Sequence, residues 1–213
     1  MKSPATVDSG WRGSREGWLE TGYQALIDGG VDAVKIMPLA NRLKLSRTSF
    51  YWFFKDREEL LDRLVASWRD KNTGNIIQRC EAYAETLAEA MLNVFDCWLD
   101  PDLFDSRFEF AIRSWALQSD PIASEVQEAD TARIAALTRM FIRFGYSEGA
   151  ADARARTTYL VQIGYISMQT SEDMASRMKR IPDYIAIFTG QIPDRRELGR
   201  FFARHSYTPE GEE

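Results

Sequence analysis

The chain has little of what catalytic and metal sites require. Its 213 residues include one histidine, His205, and two cysteines, Cys80 and Cys97, which lie 17 positions apart outside any CxxC motif. This set does not fit a Ser-His-Asp arrangement or a zinc site. No Gly-rich phosphate loop or dinucleotide-binding fingerprint occurs either. We therefore expect no enzyme, no metal and no cofactor, and we expect both cysteines to be free, buried thiols in a reducing compartment.

Long hydrophobic runs are also missing. No apolar stretch approaches the roughly 18 residues that a membrane-spanning helix needs, and no signal peptide precedes the first charged residues. Hydrophobic residues make up 45% of the chain, which is enough for a sizeable core. We expect one large or two small globular domains in the cytoplasm, without a membrane partner.

The charge of the chain is unevenly distributed. The formal net charge is -5. Residues 1–57 contain 9 Lys and Arg against 6 Asp and Glu, a charge of +3, and the remaining 18 basic and 26 acidic residues give -8. A basic module attached to an acidic body attracts phosphate at one end and repels DNA elsewhere.

The stretch from Ala33 to Lys55 contains five basic residues and no acid. Pro38 fits only the first turn of a helix, which predicts a short helix from about Ile36 to Leu43. Ser46 then offers an N-cap to a second helix. Asp56, followed by Glu59, resembles a capping box at the start of a third.

The second of these helices is predicted to face outward with basic, hydroxyl and aromatic side chains, while Phe50 and Phe54 face inward. Such a face suits the major groove of DNA, where arginine and lysine bind phosphates or guanine edges and hydroxyls donate to phosphates. The simpler alternative is a solvated basic helix face, which does not explain two large aromatics pointing to solvent. The candidate DNA-binding residues are Lys35, Lys44, Arg47, Thr48, Ser49, Tyr51, Trp52 and Lys55.

The segment LKLSRTSFYWFFKDREELLDRLV is similar to the helix-turn-helix of the TetR-like (tetracycline repressor family) transcriptional regulators. The resemblance covers about residues 15 to 66. It implies a dimeric, all-α regulator whose C-terminal domain binds a small effector. It also implies that Arg47, Thr48, Ser49, Tyr51, Trp52 and Lys55 face DNA. Two positions depart from the family pattern: Lys44 replaces the usual turn glycine, and Phe53 stands where the family often has histidine.

The rest of the chain shows helical periodicity throughout. We predict a first helix from about Ser14 to Asp28 and a helix from Asp56 into the high seventies that leaves the DNA-binding part without a linker. The predicted fold is all-α, with about nine or ten helices: an N-terminal three-helix helix-turn-helix domain and a C-terminal helical bundle. The predicted boundaries are a flexible arm at 1–13, the DNA-binding domain at 14–60 and the effector-binding and dimerisation domain at 61–213.

Large, soft side chains from several C-terminal helices define a candidate ligand pocket, because helix bundles often hold cavities between such residues. Two mid-helix polar residues could orient a ligand, although plain core packing is the alternative for every member. The candidate pocket residues are Phe95, Trp98, Phe108, Arg113, Trp115, Met140, Phe141, Tyr159, Gln162 and Met168.

These features predict a homodimeric regulator, a repressor rather than an activator, that binds a palindromic operator in double-stranded DNA and responds to an unknown small-molecule effector. The helix at about 147–171 is apolar on two faces, so we expect it to build the dimer interface together with the C-terminal helices. The alternative is an all-α protein-interaction module that keeps the helix-turn-helix as a scaffold without binding DNA.

Overall fold

The structure is a computed structural model that describes residues 13–209, so the expected N-terminal arm, with Arg12, lies outside the described residues except for Gly13. The all-α prediction is confirmed, since residues 13–209 contain no strand. The first helices are α1 (Arg15–Gly29), α2 (Ile36–Leu43), α3 (Arg47–Phe50), α4 (Arg57–Trp68) and α5 (Gly74–Glu81). They are followed by α6 (Leu87–Leu99), α7 (Ser106–Ala116), α8 (Asp120–Arg143), α9 (Glu148–Ser167), α10 (Met174–Thr189) and α11 (Arg195–Arg204).

Most helices begin at a side-chain cap that the sequence supplies. Ser14 accepts from the Gly17 amide, and Asp56 accepts from the Glu59 amide at 2.9 Å. Asp194 caps α11 within a full capping box. Each such cap satisfies amides that the first turn of a helix leaves without partners.

A single helical rod connects the two ends of the molecule. Helices α4 and α5 are joined by a π-helical turn at Arg69–Thr73, whose flanking residues keep right-handed helical angles. The helix predicted to start at Asp56 and to reach the high seventies therefore exists, and it extends to Glu81. The helical backbone is continuous from Arg57 to Glu81.

Two hydrophobic cores lie along this rod. One contains Trp18, Phe50, Phe54 and Trp68, together with side chains from α7 and α8. The other contains Met91, Trp98, Phe141 and Tyr159 and joins α5, α6, α8, α9, α10 and α11. Helix α7 thus contributes to the core beneath the helix-turn-helix.

Helix α10 is longer than the sequence predicted. We expected a helix from about Pro182 to Gly190, with the proline in its first turn. The helix instead begins at Met174, because Asp173 caps it by accepting from the Ser176 amide at 2.8 Å, and Pro182 lies inside it. A proline in a helix interior removes one backbone hydrogen bond, and α10 continues past it to Thr189.

The two cysteines are free and buried, as predicted. Burial raises the pKa of Cys80 above its ordinary value and that of Cys97 to about 12, so both thiols are held in the unreactive protonated form. Among the helices in residues 13–209, none is both long and apolar enough to cross a membrane.

Candidate nucleic-acid interface

Helices α2 and α3 form a helix-turn-helix with a tight turn. Lys44 adopts the left-handed conformation (φ 56°, ψ 39°), and the Leu45 amide donates to the Ala40 carbonyl at 2.9 Å. The predicted bounds of α2 are confirmed, and Lys44 takes the backbone conformation of the glycine it replaces. The left-handed conformation costs a non-glycine residue of order 1 kcal/mol.

Aromatic packing fixes the orientation of α3. Phe50 and Phe54 are fully buried and stack with ring centroids 5.3 Å apart, and Trp18 of α1 meets Phe50 edge-on at 5.2 Å. Arg57 binds the segment between α1 and α2, since it donates to the carbonyls of Val34 at 2.6 Å and Val31 at 2.7 Å. Sequence reasoning missed Trp18 and Arg57, whose partners lie far away in the chain.

The other side of α3 is open to solvent. Tyr51 is 47% exposed, Trp52 is 63% exposed, and Arg47, Thr48 and Lys55 are also exposed. Arg47 donates to the Tyr51 hydroxyl at 3.0 Å, so the guanidinium and the phenol are held together on this surface. Lys35 and Lys44 are exposed on the flanks of the motif. We call these seven residues the head surface: Lys35, Lys44, Arg47, Thr48, Tyr51, Trp52 and Lys55.

Ser49 is the exception among the predicted DNA-binding residues. Its side chain is only 2% exposed and donates to the Ser46 carbonyl at 2.7 Å. The expectation that Ser49 faces outward is therefore wrong, because α3 is a short helix that turns its third residue toward the core. Ser46 occupies the N-cap position, as predicted, but makes no side-chain capping hydrogen bond.

The candidate ligand pocket is only partly assembled. Phe95, Trp98 and Gln162 line one cavity in the C-terminal core. Met140 and Phe141 are buried in the surrounding core, and Met168 is 80% exposed at the end of α9. These last three do not line this cavity, because helical period identifies an apolar face but not the neighbour it meets.

The remaining four candidates lie elsewhere. Phe108 and Trp115 pack in the core beneath the helix-turn-helix, which α7 shares. Arg113 and Tyr159 belong to a polar network where α7, α8 and α9 meet the rod. Neither pair lines the cavity, so the assignment of these residues to a ligand pocket stays a prediction.

This network centres on a fully buried ion pair. Arg133 donates to Glu109 at 2.7 Å, and both side chains are 0% exposed. Trp68 and Asn72 of the rod donate to the same carboxylate at 2.7 and 2.9 Å. We call this the seam network, and its members are Trp68, Asn72, Glu109, Arg113, Asp130, Arg133 and Tyr159.

The charges of the seam network compensate each other. Burial alone raises the pKa of Glu109, but the positive charges of Arg133 and Arg113 and the hydrogen bond from Asn72 outweigh it, so the pKa lies below its ordinary value. A second carboxylate, Asp130, accepts from Arg113. The network joins the π-helical turn of the rod to α7, α8 and α9. It therefore fixes the position of the rod against these three helices.

Comparison with known proteins agrees with this geometry. The family model of the bacterial regulatory proteins of the tetR family matches residues 19–64, and no curated protein matches the sequence. Three solved structures share the fold over most of their length. Salmonella enterica GusR has a TM-score of 0.62 at 13% identity, covering 84% of this chain and 94% of that chain. A transcriptional regulator from Rhodococcus sp. Rha1 has a TM-score of 0.56 at 17% identity, covering 92% and 100%. Mycobacterium smegmatis AmtR has a TM-score of 0.53 at 16% identity, covering 92% and 96%.

The matched segment runs from α1 to α4 and contains the whole helix-turn-helix. At identities of 13% to 17% the structural likeness establishes the all-α fold. The family match covers residues 19–64, so the part of the chain that contains the helix-turn-helix is similar to the bacterial regulatory proteins of the tetR family.

Proposed function

We propose that the protein is a ligand-responsive repressor that binds a palindromic operator as a homodimer in the cytoplasm, and that it catalyses no reaction. The head surface is the observation that carries this proposal. It presents four cations and two large aromatics to solvent without an acidic residue between Ala33 and Lys55. Exposed aromatics and positive charge suit a phosphate-lined groove.

Within the head surface, we assign the central contacts to α3. Arg47 and Lys55 would bind phosphates or guanine edges, and the hydroxyls of Thr48 and Tyr51 would donate to phosphates. Trp52 would contact sugars or base edges by its apolar ring. Lys35 and Lys44, on the flanks, would each add a phosphate contact.

The homodimer is supported by exposed apolar side chains on α9 and α10. Leu160 is 59% exposed and Ile187 is 66% exposed, while the opposite face of α9 is buried through Ala155 and Tyr159. Apolar residues on the free side of a helix that is already packed on its other side mark an interaction surface. A two-fold dimer would place two head surfaces in successive major grooves of a palindrome, with half-sites about 34–36 Å apart.

The proposed response to a ligand uses the rod and the seam network. A ligand in the C-terminal core that favours one packing of the helices would tilt the rod and change the distance between the two heads of a dimer. To release most of the bound DNA, the ligand must prefer the released state by several kcal/mol. Identical head spacing with and without ligand would rule out this mechanism.

The alternative function is an interaction module that keeps the helix-turn-helix as scaffold. Lys44 and Phe53, which depart from the family pattern, favour it. The half-buried Phe53 packs against the core beneath the helix-turn-helix, so it offers DNA little of its side chain. A scaffold of this kind would show no saturable, salt-dependent DNA binding.

The proposal is tested by selection of the full-length protein on random-sequence duplex DNA, followed by measurement of complex mass. We expect an enriched inverted repeat that binds two protomers or a multiple of two. Arg47→Ala should lose binding to the selected duplex, and Arg139→Ala, on the exposed far side at α8, should retain it. Enrichment of no sequence by wild type would favour the interaction module instead.

A further inference from the structure

A cavity between α6, α9 and α10 is lined by five aromatic side chains and by apolar and polar ones, including Glu172 and Arg180. Phe95 and Trp98 of α6 meet edge to face at 5.0 Å, and Tyr184 and Phe188 of α10 stack at 5.6 Å. The cavity measures about 30 Å³ and adjoins a cleft of about 550 Å³ that reaches the end of α1, with Gln162 lining both. A ligand at this place would therefore lie between the C-terminal core and the DNA-binding end.

Two buried polar groups that line the cavity have no partner. Trp98 is 5% exposed and Thr158 is 0% exposed. Within residues 13–209, neither the Trp98 indole Nε1 nor the Thr158 hydroxyl Oγ1 has a hydrogen-bond partner. A buried polar group without a partner costs about 1–3 kcal/mol, and both of these groups can donate to the same kind of atom, an oxygen acceptor.

Arg177 adds a positive charge that no carboxylate neutralises. It lines both the cavity and the cleft and donates to the Trp98 carbonyl at 2.9 Å. Across residues 13–209, no carboxylate lies within ion-pair distance of Arg177, and the nearby Glu172 is paired with Arg180 at 2.6 Å. Burial lowers the pKa of Arg177 below its ordinary value, and the attraction of the nearby Glu172 carboxylate offsets this only in part.

We infer that this cavity binds a small aryl carboxylate, whose carboxylate accepts from Arg177, Trp98 and Thr158 and whose ring lies among the aromatic side chains. An aromatic ring matches the stacked walls of the site. The anionic group supplies both the missing charge and the missing acceptors. The inference rests on the proposed function only in making this ligand the effector, because binding itself needs no DNA.

Binding must widen the cavity, since about 30 Å³ holds only about two water molecules. Tyr165 and Tyr184 both line the cavity, and their hydroxyls are joined at 2.9 Å. Parting of this pair moves α9 relative to α10. Both helices carry the exposed apolar side chains assigned to the dimer, so the widened state differs in the geometry proposed to set head spacing.

The test is a thermal-shift and calorimetric titration of the full-length protein with benzoate and cinnamate, beside their neutral amides. We expect both acids to raise the melting temperature, and we expect the amides to bind about tenfold or more weakly, because a hydrogen bond to a charged group is worth more than a neutral one. Arg177→Gln should weaken acid binding by a similar factor. The matched control is Arg200→Gln, at an exposed arginine paired with Glu89, and it should bind as wild type does.

Two further variants keep the test independent of folding defects. Thr158→Val and Trp98→Phe remove the unpartnered polar atoms, and each should weaken acid binding while circular dichroism and the ligand-free melting temperature show a folded protein. Equal binding of acids and amides, unchanged binding in Arg177→Gln, or no binding of either acid would overturn the inference. Acid binding that leaves a DNA complex intact would preserve the site and refute its role as the effector site.

Discussion

Arg133 and Arg177 both lie between helices of the C-terminal part, but their surroundings differ. Arg133 lies in the seam network, where Glu109, Thr73 and Tyr159 accept its hydrogen bonds. Arg177 lies at the aromatic cavity, where its recorded partner is one backbone carbonyl and two neighbouring polar groups have none. The paired charge of Arg133 stabilises one packing of the helices, whereas the half-buried Arg177, which forms no ion pair within residues 13–209, lies where the proposed ligand would supply one.

The largest effect is expected from removing the centre of the seam network. Arg133→Met leaves Glu109 as an uncompensated charge in a dry site, so the free energy of unfolding should fall by about 3–5 kcal/mol. Urea denaturation measures this loss in the free energy of unfolding. Arg139→Met breaks an exposed pair with Glu81 at 3.6 Å and should cost less than about 1 kcal/mol. Similar losses in the two variants would show that the seam network is not what holds the rod.

Acid should weaken the seam network. The folded protein lowers the pKa of Glu109 below the ordinary value of 4.5, so the native carboxylate stays ionised where the unfolded one takes up a proton. Its contribution is therefore fully present above about pH 4.5 and is lost as the pH falls through the lower folded pKa. Urea denaturation between pH 3 and pH 6 should show stability falling steeply below about pH 4.5.

A glutamine substitution checks this assignment. Glu109→Gln should flatten the acid dependence, and the exposed Glu128→Gln should leave it as in wild type. If both variants kept the slope of wild type, the acid sensitivity would arise elsewhere in the chain.

Two tryptophans, one in the seam network and one at the aromatic cavity, test the difference between these two regions. Trp68 donates to Glu109 at 2.7 Å, while the Nε1 of Trp98 has no partner in the described residues. Both substitutions to phenylalanine remove similar volume, but only Trp68→Phe removes a hydrogen bond to a charged group. Trp68→Phe should therefore cost about 1–3 kcal/mol more than Trp98→Phe in urea denaturation. An equal cost would mean that the Trp98 indole is satisfied in the native protein.

The turn of the helix-turn-helix offers the smallest effect. Lys44→Gly relieves a left-handed lysine and should raise the free energy of unfolding by up to about 1 kcal/mol. Lys35→Gly, at an extended position (φ -122°), should not raise it. Scanning calorimetry of both variants measures the difference in their stability. A lower melting temperature for Lys44→Gly would indicate that the lysine side chain stabilises the turn.

The sequence predicted best what depends on near neighbours. Pro38, the acidic cap at Asp56 and the 3.6-residue period of the helices are local signals, and they located α2 and the rod. The sequence did not predict the burial of Ser49, whose neighbour Phe50 is part of the core. It also placed the start of α10 at Pro182, whereas the helix begins at Met174 behind the Asp173 cap.

Local signals of this kind did not predict the seam network or the cavity. Arg113 and Tyr159 have the character of polar and aromatic pocket residues, but both donate to Asp130, which lies on another helix, α8. Arg177, 79 positions from the Trp98 carbonyl it binds, carried no local pattern at all. Which apolar faces meet, and which buried charges find a counter-ion, is decided by tertiary packing.

The most direct test of the account is the salt dependence of DNA binding by wild type and Arg47→Ala, measured by fluorescence anisotropy on the selected duplex. The account predicts tight wild-type binding whose logarithm falls linearly with the logarithm of salt concentration. For Arg47→Ala it predicts weaker binding and a shallower slope, since about one phosphate contact per head is lost. The affinity and slope of Arg139→Ala should equal those of wild type. Binding by wild type and Arg47→Ala with the same affinity and slope would contradict the claim that the head surface contacts DNA.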